Sequence, residues 1–286
     1  MKTSNLRLAI QKSGRLNQDS IKLLDQCGIK VSNGGSLRAE ASNFAMEVLY
    51  LRDDDIPQYV ADGVADIGIV GENVQLESGF DVAIKEKLGF GKCRLSLAVP
   101  RETTYTGLEW FRGKRIATSY PLILKNFLDE QSLDSKIEAI SGSVEIAPGI
   151  GLAEAICDLV STGSTLLING LKEVHTLLKS EAVLVANRKL PTEKKAILEK
   201  LQFRIEAVRN ASRFKYILLN ARLDCVDAIS AILPSMKSPT ILPLAENGWC
   251  SLHSVVMEDD FWEVIEALKS AGAEGILVCP IEKMIR

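Results

Sequence analysis

From its N-terminus the chain alternates short apolar runs with longer helical patterns, and chains of that kind pack strands into a sheet covered by helices. Leu6 to Ile10 is the first run. The polar loop QKSGR follows, and a helical pattern from Asn17 stops at Gly28. Next, RDDDIPQYVADG reads as a loop with Asp55 capping a short helix, Pro57 in its first turn and Gly63 at its end. DIGIV, from Asp66 to Val70, is then a buried strand, and Gly71-Glu72-Asn73 the loop after it. The pattern predicts an α/β unit over roughly the first 90 residues, with functional loops at strand ends.

A second unit starts at RLSLAV, 94 to 99, which Pro100 closes. KRIA, 114 to 117, leads through TSYP into the helical stretch LILKNFLDEQ; a strand is expected from Lys136 to Ile140, a helix around Ile150 to Ile156, and a strand at CDLV that the loop STGST ends. AVLVAN, 182 to 187, precedes the charged PTEKKAILEKLQFRIEAV, long and amphipathic enough to bridge units, which predicts a boundary near residue 210. Beyond it the strand FKYILLNA, the helix CVDAISAIL, strands around TILPLA and CSLHSVV, the helix FWEVIEALKSAG and the strand GILVCPI give a βαββαβ order. That order is the ferredoxin-like signature.

Composition excludes other classes. At 286 residues, 47% apolar and 25% charged, the chain can bury a substantial core spread over two or three units. Lys+Arg 34 against Asp+Glu 37 leaves a net charge of -3, which argues against a nucleic-acid face and leaves a small anionic ligand open. No run of 18 apolar residues is present and MKTSNLRLAI lacks a secretory core, so a cytoplasmic, membrane-free protein is expected. Cys27, Cys93, Cys157, Cys225, Cys250 and Cys279 are scattered singly and read as reduced core residues. With only His175 and His253, both read as structural, a zinc site has little support.

The strongest chemical pattern is EAICDLVSTGSTLLINGL, 154 to 171, where an acid ends an apolar run and five small or hydroxylated residues lead into a helix. Gly163 permits close backbone approach, first-turn amides point outward, and Ser161, Thr162, Ser164 and Thr165 add hydroxyl donors, a combination suited to phosphate. No lysine follows, so this is not a Walker A loop. Asp158 stands where a carboxylate accepts sugar hydroxyls, with Glu154 one helical turn earlier. Ordinary turn and capping chemistry accounts for the same residues, and both readings stand. Lys12, Gly14 and Arg15 offer cations around a flexible residue, suited to a phosphate chain, or form a solvated basic turn. Arg52 and the acids Asp53 to Asp55 are capping residues or aids to magnesium. Asp66, Gly68, Gly71 and Glu72 flank a strand, where glycines leave room for a flat base and acids meet an amino group or a ribose. Lys92 and Arg94 stand at the expected crossing into the second unit. TSYP offers a weaker anion loop, with Ser119 equally an N-cap.

The whole chain resembles the long form of the ATP phosphoribosyltransferases, the enzymes that open histidine biosynthesis. The segments that carry the resemblance are QKSGRL, 11 to 16; RDDDIP, 52 to 57; DGVADIGIVGEN, 62 to 73; GKCRLSLAVP, 91 to 100; GKRIATSYP, 113 to 121; GSVEIAP, 142 to 148; DLVSTGSTL, 158 to 166; SPTILPL, 238 to 244; and ILVCPIEKMI, 276 to 285. The resemblance implies transfer of the phosphoribosyl group of phosphoribosyl diphosphate (PRPP) to N1 of the adenine of ATP, releasing pyrophosphate, with Mg2+ required and histidine as feedback inhibitor. It implies two lobes of the periplasmic-binding-protein type II kind, 1–92 with 184–210 and 93–183, and a regulatory domain, 211–286.

On that resemblance Asp158, Arg15 and Lys12 are the catalytic candidates. Glu154, Asp158, Ser161, Thr162, Gly163, Ser164 and Thr165 are expected on PRPP, and Gly14, Arg15, Asp66, Gly71, Glu72, Lys92 and Arg94 on ATP. Ser238 and Thr240 are expected on histidine, and dimers assembling into hexamers are implied. Two other readings compete: a two-lobed sensor without catalysis, and an enzyme joining PRPP to another base. The STGST loop beside Asp158 counts against the first, and the regulatory tail against the second.

Overall fold

A computed structural model describes residues 5–32, 35–233 and 238–285. The elements β1 (Leu6–Gln11), α1 (Arg15–Gln26), β2 (Arg38–Glu40), β3 (Met46–Leu51), α2 (Ile56–Ala61), β4 (Ile67–Gly71), α3 (Glu72–Ser78) and β5 (Ala83–Lys87) begin the first lobe. The second comprises β6 (Cys93–Pro100), β7 (Arg115–Thr118), α4 (Pro121–Glu130), β8 (Lys136–Ala139), β9 (Ala155–Val160), α5 (Ser164–Ile168) and β10 (Leu171–Ser180). The chain then returns through β11 (Ala182–Ala186) and enters the long helix α6 (Thr192–Ser212).

The first sheet runs β2-β3-β1-β4-β11-β5 and the second β10-β6-β9-β7-β8. β1 is parallel to both β3 and β4, and β7 lies parallel to β8 and β9. Strands of a parallel core are covered on both faces and so read as continuous apolar runs. Ile67 to Val70 are accordingly buried, and so is all of β11, which lies antiparallel between β4 and β5. Gly68 is what lets α2 lie on β4. A Cβ there would stand 2.6 Å from Ile56 Cγ2, 3.1 Å from Val60 and 3.3 Å from Val185, so the glycine serves helix packing and leaves no slot for a base.

Beyond α6 come β12 (Phe214–Arg222), α7 (Val226–Ile232), β13 (Thr240–Pro243), β14 (Trp249–Met257), α8 (Phe261–Ser270) and β15 (Glu274–Pro280). Their sheet runs β13-β14-β12-β15, every pair antiparallel, which is the ferredoxin-like arrangement of a βαββαβ chain. Ile217, Leu219, Leu252 and Val256 pack with Ile229 of α7 and Leu268 of α8 to form its core. The chain divides into compact units at Leu198 and Glu199, inside α6, which runs unbroken across that division to Ser212.

Several local expectations are corrected. No helix spans Ile150 to Ile156: a 3-10 turn at Val144–Ile146 and further turns precede β9, whose Ala155 and Ile156 pair with β7. Pro148, Gly149 and Gly151 stop helical continuation, and sheet pairing then claims the apolar residues. Gly71 ends β4 and Glu72 opens α3, so no loop separates them. Asp55 makes no side-chain cap, since Asp53–Asp55 already form a 3-10 turn that runs into α2. Strand β10 has no readable signature because irregularities at Glu173/His175 and Thr176/Leu178 break its alternation.

Replacing Gly68 by Ala is expected to lower the unfolding free energy by about 1–3 kcal/mol through the clash with α2. Urea unfolding checks this, and adding Ile56→Ala should make the double variant less destabilised than the sum of the singles.

Candidate functional site

The parallel strands point their carboxyl ends the same way within each lobe, and the loops that carry chemistry leave from those ends. In the first lobe they are residues 12–15 after β1, 52–55 after β3 and the start of α3 after β4; in the second they are 118–121 after β7, 140–143 after β8 and 161–163 after β9. A cleft of 580 Å³ lies between the two sets, with Asp54, Glu77 and Ser78 on one wall and Ser119, Tyr120 and Gly142 on the other.

In the STGST turn, Gly163 adopts φ +84, a left-handed conformation natural to glycine, and α5 follows at once. Ser161, Thr162, Ser164 and Thr165 are exposed, and the hydroxyls of Thr162 and Ser164 lie 3.0 Å apart. Arg94 Nη1 donates to Ser161 O at 3.1 Å, which ties the turn to β6. Arg94 is itself gripped by Glu173 of β10, with Nε to Oε1 at 2.6 Å, and that guanidinium holds the Glu173 carboxyl down to about 2. Ser96 also donates to Glu173, at 2.7 Å.

Asp158 sits half-buried in β9, directly opposite Ser96 of β6. Among the described residues its Oδ1 accepts only the adjacent Leu159 N–H, at 2.7 Å, and burial raises its carboxyl above the ordinary range, with Glu145 adding to the effect. Glu154 does not join it. The two stand four positions apart along an extended chain, about 13 Å, and Glu154 accepts the Arg115 amide at 2.8 Å and its guanidinium, which holds the carboxyl down to about 2. The expected helical turn between them is a strand, so Glu154 stands at the far end of β9 as a structural acid.

Asp66 immediately precedes β4, at the strand start the sequence indicates; it is buried and accepts Arg7 N at 2.8 Å and Lys194 Nζ at 2.6 Å, pinning α6 to the first sheet. Gly71 and Glu72 do lie at the carboxyl end of β4, where Glu72 pairs with Lys87 at 2.8 Å. Lys12 and Arg15 are exposed beside Gly14, whose φ of +93 turns the chain into α1. Lys92 and Arg94 stand at the crossing into the second lobe, as expected. Asp53 keeps a buried Oδ1 without a hydrogen-bond partner, and burial, reinforced by Asp54, pushes its carboxyl up to about 6.

Two further residues bind the lobes together. Glu77 of α3 accepts the Leu122 and Ile123 amides at 2.8 and 3.0 Å, so a carboxylate from one lobe caps the N-terminus of α4 in the other. Asn73, four residues earlier, donates to Tyr120 Oη at 3.2 Å, donates its amide to Ser180 Oγ at 3.0 Å and accepts from that hydroxyl at 2.9 Å. Ser119 caps nothing; it donates to Ile140 O at 2.8 Å and accepts Gly142 N–H at 3.2 Å. The TSYP loop is therefore occupied by protein groups. The i, i+4 spacing of Asn73 and Glu77 on one helix face is the signal that could have found them.

In the C-terminal unit, Thr240 opens β13 in register with His253, and Ser238 precedes it, exposed. His253 Nδ1 lies 2.6 Å from Tyr216 Oη and its Nε2 3.2 Å from Ser251 Oγ. His175 stacks obliquely on Phe127 in the second lobe.

Comparison with known proteins bears on this arrangement. Residues 52–207 match the family model described as ATP phosphoribosyltransferase, and 211–283 the model described as HisG, C-terminal domain. A curated ATP phosphoribosyltransferase of Cytophaga hutchinsonii is 60% identical over 98% of this chain and 99% of its own. Among solved structures, the ATP phosphoribosyl transferase (HisG:HisZ) complex from Thermotoga maritima aligns with TM-score 0.60 and 31% identity, covering 70% of this chain and 98% of that one. A histidine kinase sensor domain with similarity to periplasmic binding proteins aligns with TM-score 0.50 at 10% identity over 72% of this chain and 90% of its own, a likeness of fold alone.

Glu77→Ala is expected to cost about 1–2 kcal/mol of stability, the range for a lost helix cap. Glu77→Gln should recover part of it, because one amide oxygen still accepts. Paired urea titrations of the two variants measure the difference.

Proposed function

The chain belongs to the ATP phosphoribosyltransferase family, and we propose that its STGST turn receives the 5′-phosphate of PRPP while Asp158 receives the ribose hydroxyls. The family is that of the ATP phosphoribosyltransferases, and the reaction the resemblance implies passes the phosphoribosyl group of PRPP to N1 of the adenine of ATP and releases pyrophosphate, in the biosynthesis of histidine. The alternative of a non-catalytic sensor is not favoured by a 60% identical relative that carries the enzyme's name over nearly its full length.

The observation that carries the residue reading is the joining of two features in one strand end. β9 runs through Asp158, which is half-buried and has spare acceptor capacity, straight into an exposed turn of four hydroxyls around Gly163. Displacement at the anomeric carbon develops positive charge on the ribose, so a carboxylate beneath it stabilises the transition state without forming a covalent bond. No general base is required of the chain for that step. Cleft closure then excludes water from a sugar centre that water would otherwise attack.

Across the cleft, Lys12, Gly14 and Arg15 offer exposed positive charge for a phosphate chain, and Gly71 with Glu72 lies at the neighbouring strand end where the nucleoside is read. Asp66 and Glu154 have no part in this reading, since both are spent on structural pairs. Magnesium is best read as an ion carried by the diphosphate. Among the described residues no three of His, Cys, Asp and Glu gather where they could hold a metal, and Mg2+ is commonly held by one or two carboxylates plus substrate phosphates. Asp54 in the cleft wall and Asp53 with its open Oδ1 fit that role.

The C-terminal unit is read as the seat of histidine inhibition, with Ser238 and Thr240 on the inhibitor, and the assembly as dimers that build hexamers. Six free thiols fit a reducing, cytoplasmic setting. No helix among the described residues is long and apolar enough to cross a membrane.

Pyrophosphate release from PRPP with magnesium is expected with ATP, not with GTP or without acceptor, and to fall when histidine is added. Release that histidine leaves untouched would sink the regulatory part; release equal with GTP would sink the assignment of the acceptor. Asp158→Asn should lower kcat by about 100-fold while moving Tm little, and equal losses of both would reject its role. Because burial raises the Asp158 carboxyl, the acidic limb of kcat/KM should begin at higher pH than for an ordinary aspartate, activity falling as that carboxylate is protonated.

A further inference from the structure

At the crossing between lobes lies a second cleft, of 410 Å³, lined by Lys87, Lys92, Arg94 and Lys179 with Ser161 and a single acid, Glu181. Two of the four cations are fixed in place, Lys87 by Glu72 at 2.8 Å and Arg94 by Glu173. Among the described residues Lys92 and Lys179 carry no salt bridge.

The strand register sharpens this. Lys179 of β10 stands directly opposite Arg94 of β6, a like-charge pair across an antiparallel ladder. Such pairs are destabilising in water. Four positive groups drawn from β5, the crossing, β6 and β10 thus converge on one cavity, where Glu72 and Glu173 answer Lys87 and Arg94 while no carboxylate pairs with Lys92 or Lys179 among the described residues. Arg94 also reaches Ser161 O at 3.1 Å, so the cavity adjoins the STGST turn.

We propose that this hinge cleft binds a polyphosphate chain, either the diphosphate of PRPP or the triphosphate of ATP, with Lys87 and Lys179 as binding residues beside Lys92 and Arg94. The inference rests on the phosphoribosyltransferase reading above and extends it to groups that reading leaves unused. A single phosphate would satisfy one or two of these cations; a chain of linked phosphates meets all of them. Because the lining comes from both strands that cross between the lobes, the bound chain would also neutralise the Arg94–Lys179 repulsion and stiffen the hinge.

The test uses the full chain, wild type and the double variant Lys87→Gln/Lys179→Gln, with near-ultraviolet circular dichroism as the fold control. Calorimetric titration with inorganic pyrophosphate and with tripolyphosphate reads the cleft, and ribose 5-phosphate reads the STGST turn. Polyphosphate affinity is expected to fall by about tenfold or more on removal of two charged contacts, with ribose 5-phosphate unchanged. A rise in KM for PRPP alone assigns the diphosphate of PRPP; a rise for ATP alone assigns the triphosphate. Lys179→Arg, which keeps the charge, should retain most of the affinity and separates binding from damage to the strand. Unchanged polyphosphate affinity in the folded double variant overturns the proposal. Failure of ribose 5-phosphate to bind the wild type would count against the STGST reading instead, and the polyphosphate titration would still decide the cleft.

Discussion

The structure depends on a double crossing of the chain. Leaving β5, the backbone passes through residues 88–92 into the second sheet, and it returns at 180–182 into β11. The two passages hydrogen-bond each other, Leu88 N to Ala182 O at 2.8 Å and Ala182 N to Phe90 O at 2.9 Å, and the buried Asn73–Ser180 pair braces them. β11 enters the first sheet between β4 and β5 and is buried along its whole length. The first lobe therefore lacks an interior strand until the second has been traversed, whereas the second sheet is built from the contiguous strands β6 to β10. That double crossing is what sets two carboxyl edges against each other, and a cleft between such edges is where small ligands bind in α/β proteins.

How far the sequence could be read follows from the same physics. Interior strands buried on both faces announce themselves, as DIGIV and AVLVAN do, because nothing polar is tolerated on either side. β10 is different. Its two irregularities shift the alternation of LKEVHTLLKS, so no face stays apolar long enough to be recognised, and Glu173, which steers Arg94, was missed with it. APGIGLAEAI looked helical by periodicity, yet its glycines and proline left the apolar residues free to pair with β6 and β7.

The acids show the limit more sharply. Asp66, Glu154 and Asp158 all border apolar strands, and only position along the strand separates them. Asp66 and Glu154 precede their strands and are answered by basic partners, Arg7 and Lys194 for one and Arg115 for the other. Asp158 lies nearer the carboxyl end and has no basic partner among the described residues. Strand direction is legible in the sequence for Asp66, since DIGIV starts with it, so the carboxyl-edge rule could have excluded that residue without coordinates. For Glu154 the same step fails, because the segment was read as helix and the strand start was hidden.

Electrostatics resolves how a chain with a net charge of -3 can serve two polyanionic substrates. Its positive groups are not spread but sorted. At Arg115 and Arg7 they neutralise acids that hold the sheets together, and there the pairs are complete. The N-terminus of α4 is already filled by Glu77, which removes a competing anion site and turns the helix dipole to joining the lobes. Groups left open to an anion include the exposed hydroxyls after β9, Lys92 and Lys179 at the crossing beside them, and Lys12 and Arg15 after β1. A sheet that spends carboxylates so freely elsewhere leaves Lys179 facing Arg94 only where another source of negative charge arrives, and the family's substrates bring one.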